Sequence, residues 1–362
     1  LGLFYIIPLF VMQIFAYDSP SIANLQVFPS DNPWNWDISS YDVHPNSAAY
    51  INTVGSSRGL HADFGTVWDG APNGIPYVIV SGTTPLVNVT FTDYGDESDA
   101  GPYRIPLDTP IEGGNQSSGD RHVIAVDTSN KILYELYSSF PQTSFWNAAS
   151  GAIFDLKTND HHPLTYTSAD AAGLPVFPGL VRYEEVVVKK EITHAIRMTV
   201  QLSQKAFIFP ARHYASSSTD PARPPMGLRF RLKSSFDITS FSPEVQVILK
   251  AFKKYGLIVA DNGSNWYISG APDSRWNDDN LRELSRVKGS DFEAITTIDA
   301  SGNPIYPKSS VKRSTYTTKS VKTSNESQAS FDFRGRQVTN RPDGAAAIII
   351  HQSKATGATT HR

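Results

Sequence analysis

The chain contains no cysteine, so disulfides and thiolate metal sites are excluded and the fold must hold by packing alone, whatever the redox compartment. It also lacks a surplus of one charge. With 32 Lys and Arg against 35 Asp and Glu, the formal charge is −3, which argues against a nucleic-acid partner because phosphate neutralisation demands a basic excess. Long apolar runs are missing as well. The longest, Leu1 to Ala16, is too short for a comfortable membrane span and is interrupted by Pro8; it reads as a secretory signal peptide over 1–16 with Ala16 at the cleavage point. No stable membrane span is expected once that signal is removed. Familiar catalytic motifs are scarce too: there is no P-loop, H-E-x-x-H pair or dinucleotide fingerprint after a strand.

What the chain does have is punctuation and aromatics. Its 24 Gly and 24 Pro break it into short segments, and 16 Tyr, 19 Phe and 6 Trp supply core and contact area. The stretch from Pro224 to Gly270 shows the architecture most directly. Leu228, Phe230 and Leu232 alternate with Arg229, Arg231 and Lys233, the period of a half-buried strand with its cations in water. Ser242 reads as a helix cap, Pro243 as the first helical residue, and Val245, Ile248, Leu249 and Phe252 as an apolar stripe that ends at Gly256. Leu257 to Ala260 follows as a buried strand, Asp261-Asn262-Gly263 as a turn, and Trp266 to Ser269 as a further strand. Roughly ten strands of this kind, against helices at Pro243 to Tyr255 and Asn280 to Val287, predict a mainly β fold, a β-sandwich or jelly roll with one or two helices packed on a sheet. The domain reading is a main β-rich domain over 17–298, a Ser/Thr/Lys-rich linker over 299–328, and a small β unit over 329–362.

Two resemblances bear on this organisation. The run Phe331-Asp332-Phe333-Arg334-Gly335-Arg336-Gln337-Val338, with its D-x-x-G-R-x-V core, resembles the C-terminal sorting domain of type IX secreted proteins of Gram-negative bacteria, cut short at Arg362. That resemblance implies export across the outer membrane, with the secretion machinery as a partner of the tail and the extracellular space or cell surface as the destination. Residues 25–297, through GDRHVIAVD, TSADAAGLPVFPGLVRYEE, PPMGLRFRLK and YGLIVADNGSNWYISG, resemble an uncharacterised family of secreted bacterial proteins, which implies no activity.

Candidate chemistry falls into three groups. Glycoside hydrolysis needs a carboxylic acid of raised pKa, a second carboxylate and aromatic platforms for sugar rings. Asp120, Glu135, Asp170, Glu184 and Asp261 are the candidate carboxylates; Glu135 shares a strand face with Leu133 and Tyr137 and reads as either a buried acid or an edge residue. Asp261 is the best placed, since it ends a buried strand beside Gly263 and ahead of Trp266; its plainer alternative is an Asx turn that closes a hairpin. Trp266, Arg197 and Asn262 are the substrate-binding candidates nearby. Trp34 and Trp36 join them as a sugar platform or, alternatively, serve as a hydrophobic plug, pointing to the same side of an extended segment. Histidines form the second group: His122 after a Gly-rich loop, His194 in a strand and His213 at a strand exit could together hold a divalent metal, or each could bond a neighbouring carbonyl or carboxylate. The third is the acidic loop with Asp93, Asp96, Glu97 and Asp99, which reads as an exposed turn in preference to a calcium site. Catalysis thus rests on Asp261, Asp120, His122, Asp170 and His213, and the expected partner is an extracellular polysaccharide that the protein binds or cleaves as a hydrolase or lyase. A non-enzymatic adhesin or structural β domain and a histidine-based metal enzyme are the alternatives.

Overall fold

The computed structural model describes residues 16–307 and, beyond them, Ser330–Phe331, Gln337–Asn340 and Ala346–Ile348. Residues 1–15 of the expected signal, most of the expected linker and much of the tail lie outside the described residues. Among the described residues no helix is long and apolar enough to cross a membrane.

The fold is mainly β. Its largest sheet has six strands in the order β1 (His61–Asp63), β14 (Tyr267–Ser269), β11 (Ile196–Val200), β13 (Leu257–Asn262), β12 (Arg229–Leu232) and β15 (Phe292–Ile295). A second sheet runs β10 (Ser150–Asp155), β7 (Ile132–Tyr137), β6 (Val123–Asp127) and β4 (Tyr77–Val80), and a third runs β5 (Asn88–Phe91), β9 (Phe145–Ala148) and β8 (Phe140–Pro141). Pairing is mixed: β1 with β14, β11 with β13, β4 with β6 and β5 with β9 are parallel. A short hairpin, β2 (Val67–Trp68) with β3 (Ala71–Pro72), stands apart, and β16 (Ser330–Phe331), β17 (Gln337–Asn340) and β18 (Ala346–Ile348) pair among themselves.

The second sheet is buried on both faces, because its alternating residues divide between two cores. Tyr77, Ile124, Val126, Leu133, Ala152 and Phe154 join the large core together with the six-stranded sheet. Val80, Val123, Ala125, Tyr134 and Leu136 join a smaller core with Trp146 and Ala148 of the third sheet. Three sheets therefore stack, and the near-continuous apolar run HVIAV is what a strand covered on both faces requires.

The helix forms as its apolar spacing predicts: α2 (Pro243–Lys254) buries Val245, Ile248, Leu249 and Phe252 and packs on β12. Gly256 follows at φ +74, where a Cβ would meet the Phe230 carbonyl oxygen at 2.4 Å, so only glycine fits. Ser242 is not the expected cap, for its side chain makes no capping bond; instead its backbone N–H donates to the Glu283 carboxylate at 2.7 Å. The shorter helices are α1 (Ser47–Val54), which rests against β15, and α3 (Asp278–Arg282), where the second expected helix begins.

The alternation in β12 reads correctly for strand period but not for solvation. Arg229 and Arg231 are buried under the N-terminal segment, where Arg229 donates to the Pro33 carbonyl at 2.6 Å. Arg231 binds Glu293 and the carbonyls of Ile38, Ser39 and Tyr41. Trp34 and Trp36 belong to the same cover. A 3-10 turn over Pro33–Asn35 replaces the extended chain, each indole is 3 % exposed, and neither can meet a substrate. They are the plug.

Candidate functional site

The site is assembled between the six-stranded and four-stranded sheets. Paired strand residues share a face, so the register Asp63 to Ser269 across β1 and β14, together with the Met198 to Ile268 pairing of β14 and β11, sets Asp63, Ser269 and Arg197 in one row on one face. Strict alternation along β13 would put Asp261 on the opposite face, with Leu257 and Val259. A bulge prevents this: Met198 pairs with Val259 but Thr199 pairs with Asp261, which leaves Ala260 as the extra residue and turns Asp261 to the side of Arg197.

Arg197 is the centre of that face. Its guanidinium makes a two-pronged contact with Asp170, with Nε and Nη2 each 2.9 Å from a carboxylate oxygen, and Nη2 also donates to Asp261 at 2.9 Å while Nη1 donates to Ser269 Oγ at 2.8 Å. One cation thus serves two carboxylates. Asp170 is fully buried and takes the two-pronged bond; Asp261, with a fifth of its side chain exposed, takes what is left. Burial drives the Asp261 pKa upward, and although Arg197 opposes this, repulsion from Asp170 and Asp120 adds to it, so the carboxyl is pushed up to about 7. An acid in that range can hold a proton near neutrality and give it up.

His122, Glu135, Tyr137 and Ser150 face this row from the second sheet. His122 Nδ1 lies 2.7 Å from Glu112 and Nε2 lies 2.9 Å from the Ala169 carbonyl oxygen, so both ring nitrogens face acceptors. Burial would lower its pKa, but the Glu112 carboxylate prevails and raises it to about 9. His122 is therefore an imidazolium that donates at both ends, with no lone pair to offer a metal. The one group of metal-type side chains with ligand atoms within 4.8 Å of each other, among the described residues, is Glu112, Asp120 and His122; His194 and His213 stand outside it. His194 is buried elsewhere between Arg182 and Glu185, at 3.1 and 3.2 Å. The three-histidine centre is thus not assembled.

Glu135 resolves as a buried acid whose oxygens accept the backbone N–H groups of Val176 and Phe177 at 2.8 to 3.1 Å. Burial raises it to about 7 against those bonds. Glu184 pairs with Lys189 away from the site. The acidic loop is tied into the fold in part: Glu97 accepts the Thr167 N–H, and Asp99 accepts His162 and the Ile153 N–H.

Above the Arg197 row opens a cleft of about 580 Å³, walled by Asp120, Tyr137, Asp170, His213, Tyr214 and Asp261. Tyr94, Lys205 and Asn262 complete its polar rim. His213 donates from Nδ1 to the Ala171 carbonyl at 2.9 Å, which leaves Nε2 as an acceptor, and its ring stacks on Tyr214. Asn262 is held between the Ser203 N–H and the Ala215 carbonyl. Of the residues singled out from sequence, Asp120, Asp170, His213, Asp261 and Asn262 therefore meet at one cleft, while Arg197 braces it from below. Trp266 does not. It is fully buried, donates Nε1 to the Gly55 carbonyl at 2.9 Å and stacks on Phe292, so it offers no sugar platform.

The sequence reading missed Tyr94, Tyr214, Lys205 and Glu112 as site residues. Tyr137 had a signal, since it shares a strand face with Glu135, and Tyr214 adjoins His213; nothing in the loop around Glu112 marked it. No family model, curated protein or solved structure matches this chain.

Proposed function

We propose that the cleft binds a glycan and hydrolyses it by acid and base catalysis. The observation that carries this reading is that two carboxylates, the largely buried Asp261 and the exposed Asp120, wall the same cleft; burial, against Arg197, pushes the Asp261 pKa up to about 7. Asp261 would protonate the glycosidic oxygen, and Asp120 would act as the base or nucleophile on the other side of the sugar. Tyr94, Tyr137 and Tyr214 supply ring faces and hydroxyls, and the His213 Nε2 lone pair accepts a hydroxyl. Arg197 and Asp170 hold the acid in place without touching substrate.

The activity belongs outside a Gram-negative cell, on the strength of the sorting-tail resemblance of the D-x-x-G-R-x-V run. A glycan-binding module without turnover is the second reading, and a specific observation favours it: every Asp261 contact is already a structural bond, to Arg197 and to the Asn262 N–H at 2.7 Å. Incubating the protein with plant and algal polysaccharides, followed by product analysis, separates these readings. Hydrolysis yields new reducing ends without unsaturated sugars, and unsaturated ends would make the protein a lyase. Asp261→Asn and Asp120→Asn are each expected to lower turnover by at least about a hundredfold. Glycan retention without any product would leave the binding module, and neither retention nor product would sink the glycan reading.

A further inference from the structure

A second groove, of about 510 Å³, opens at the β1 edge of the same sheet, and nothing in the cleft chemistry uses it. His61 and Tyr267, paired across β1 and β14, stack at its floor with ring centroids 4.1 Å apart. Trp68 stands over it from the β2–β3 hairpin with 75 % of its surface exposed. The other five tryptophans, at 34, 36, 146, 266 and 276, are all buried. An indole left in water on a two-residue strand contributes nothing to the core, yet its hairpin is braced: Asp278 accepts the Thr66 N–H at 3.0 Å and its hydroxyl as well. Asp63, Asn73 and Arg282 give the groove a polar rim. Among the described residues, no hydrogen bond is donated to the Asp63 carboxylate. A flat aromatic face bordered by solvent-facing acceptors and donors is the chemistry that recognises a sugar ring, whose C–H face stacks while its hydroxyls bond sideways.

The groove and the cleft share no lining residue, and Ser269 and Arg197 between them are buried, but the strand register fixes how far apart the two openings lie. Asp63 lies on the groove rim, and the row from Asp63 through Ser269 and Arg197 to Asp261 crosses three strand spacings on one face. At ~4.8 Å per strand that span is about 14 Å, long enough for a chain of sugars and too long for one. Burial, and then repulsion from Glu112 and Asp120, raises the Asp63 pKa, so the groove rim lies close to Asp120 on the cleft wall.

Resting on the glycan reading of the cleft, we propose that the Trp68 groove is a distal subsite of the same binding track, so that the ligand is an oligosaccharide or polysaccharide chain rather than a mono- or disaccharide. Trp68 stacks on a ring remote from the reacting bond, and Asp63 and Asn73 bond its hydroxyls.

Trp68→Ala tests this cleanly, because an exposed indole can be removed without opening the core. The probes are ladders of cello-, xylo-, chito- and galacturonate oligomers from dimer to octamer, with tryptophan emission and product formation followed together. The wild-type chain is expected to bind long oligomers about tenfold more tightly than Trp68→Ala, with dimers bound equally by both. Long oligomers should shift the emission of the single exposed indole, and that shift should vanish in the variant. Equal affinity of both proteins for long oligomers, with product still formed, overturns the subsite and leaves the cleft reading standing. A Trp68-dependent emission shift without product upholds the groove and removes the catalytic reading. No binding of any ladder by the wild type overturns both.

Discussion

Two buried arginines in this protein are set among acidic partners with opposite results. Arg182 faces one carboxylate, Glu185, and shares it with His194; the cluster borders a small cavity beneath the N-terminal segment. Burial would raise the Glu185 pKa, but Arg182 and then His194 pull it down to about 2. Arg197 faces two carboxylates, and there Asp261 rises to about 7. Both sites use an arginine, short bonds and deep burial. The difference is stoichiometry: a carboxylate that has a cation to itself is locked in its charged form, whereas the second carboxylate on a shared cation keeps a proton it can exchange. Only the second arrangement opens onto a large cleft, and only there would an exchangeable proton be of use.

The comparison is broken most forcefully at the shared cation. Arg197→Met leaves Asp170 fully buried without its two-pronged partner, and the expected loss is about 3 to 5 kcal/mol in denaturant unfolding. A loss below about 1 kcal/mol would mean that the clamp does not hold the two walls together. The next effect separates the two carboxylates. Glu185→Gln removes a charge that Arg182 and His194 both use, and should cost about 2 kcal/mol. Asp261→Asn should cost less than about 1 kcal/mol at neutral pH, because the carboxyl already carries much of its proton there and the amide oxygen still accepts from Arg197. Equal losses from the two substitutions would show that both carboxylates are ordinary structural anions.

The parts of this arrangement that obey a local rule were legible in the sequence. The apolar stripe from Val245 to Phe252, the stop at Gly256 and the alternation of β12 and β7 are short-range patterns, and each forms an element. The parts that depend on what covers a surface were not. Arg229 and Arg231 look solvated until a segment nearly two hundred positions away lies over them, and Trp34 and Trp36 are plugs because they belong to that segment. Asp261 was picked out as a strand-end carboxylate beside a glycine, but the reason it faces the cleft is a bulge at Ala260, which strand periodicity does not announce. The Trp266 indole sits two strands from where a platform would be needed, at φ +63, a backbone conformation the pattern around Gly263 gave no sign of. Glu112 and Asp170 reach their partners only through tertiary contact, which one sequence cannot show.

The smallest effect is the most discriminating, since it reads the proton directly. An acid whose pKa is higher in the folded protein than in the unfolded chain favours folding when protonated, so its contribution is full below the unfolded value and declines as pH rises through the folded one. For Asp261 that window runs from about 3.8 to about 7, and stability attributable to it should fall with rising pH. Glu185 has the opposite sign: its folded pKa is depressed, so its contribution is present above 4.5 and is lost as pH drops toward about 2. Subtracting each variant's stability from that of the wild type cancels the other titrating groups. The difference for Asp261→Asn should then slope downward between pH 4 and 7 and level off above, while that for Glu185→Gln should be flat from about pH 5.5 to 7 and fall as pH drops through 4.5 toward 2. If turnover is measured on the same samples, the wild-type rate should fall on the alkaline side of about pH 7, as the proton needed by the leaving oxygen is lost. A flat Asp261 difference from pH 4 to 7, with turnover undiminished above 7, would show that Arg197 holds both of its carboxylates charged and that the cleft has no resident acid.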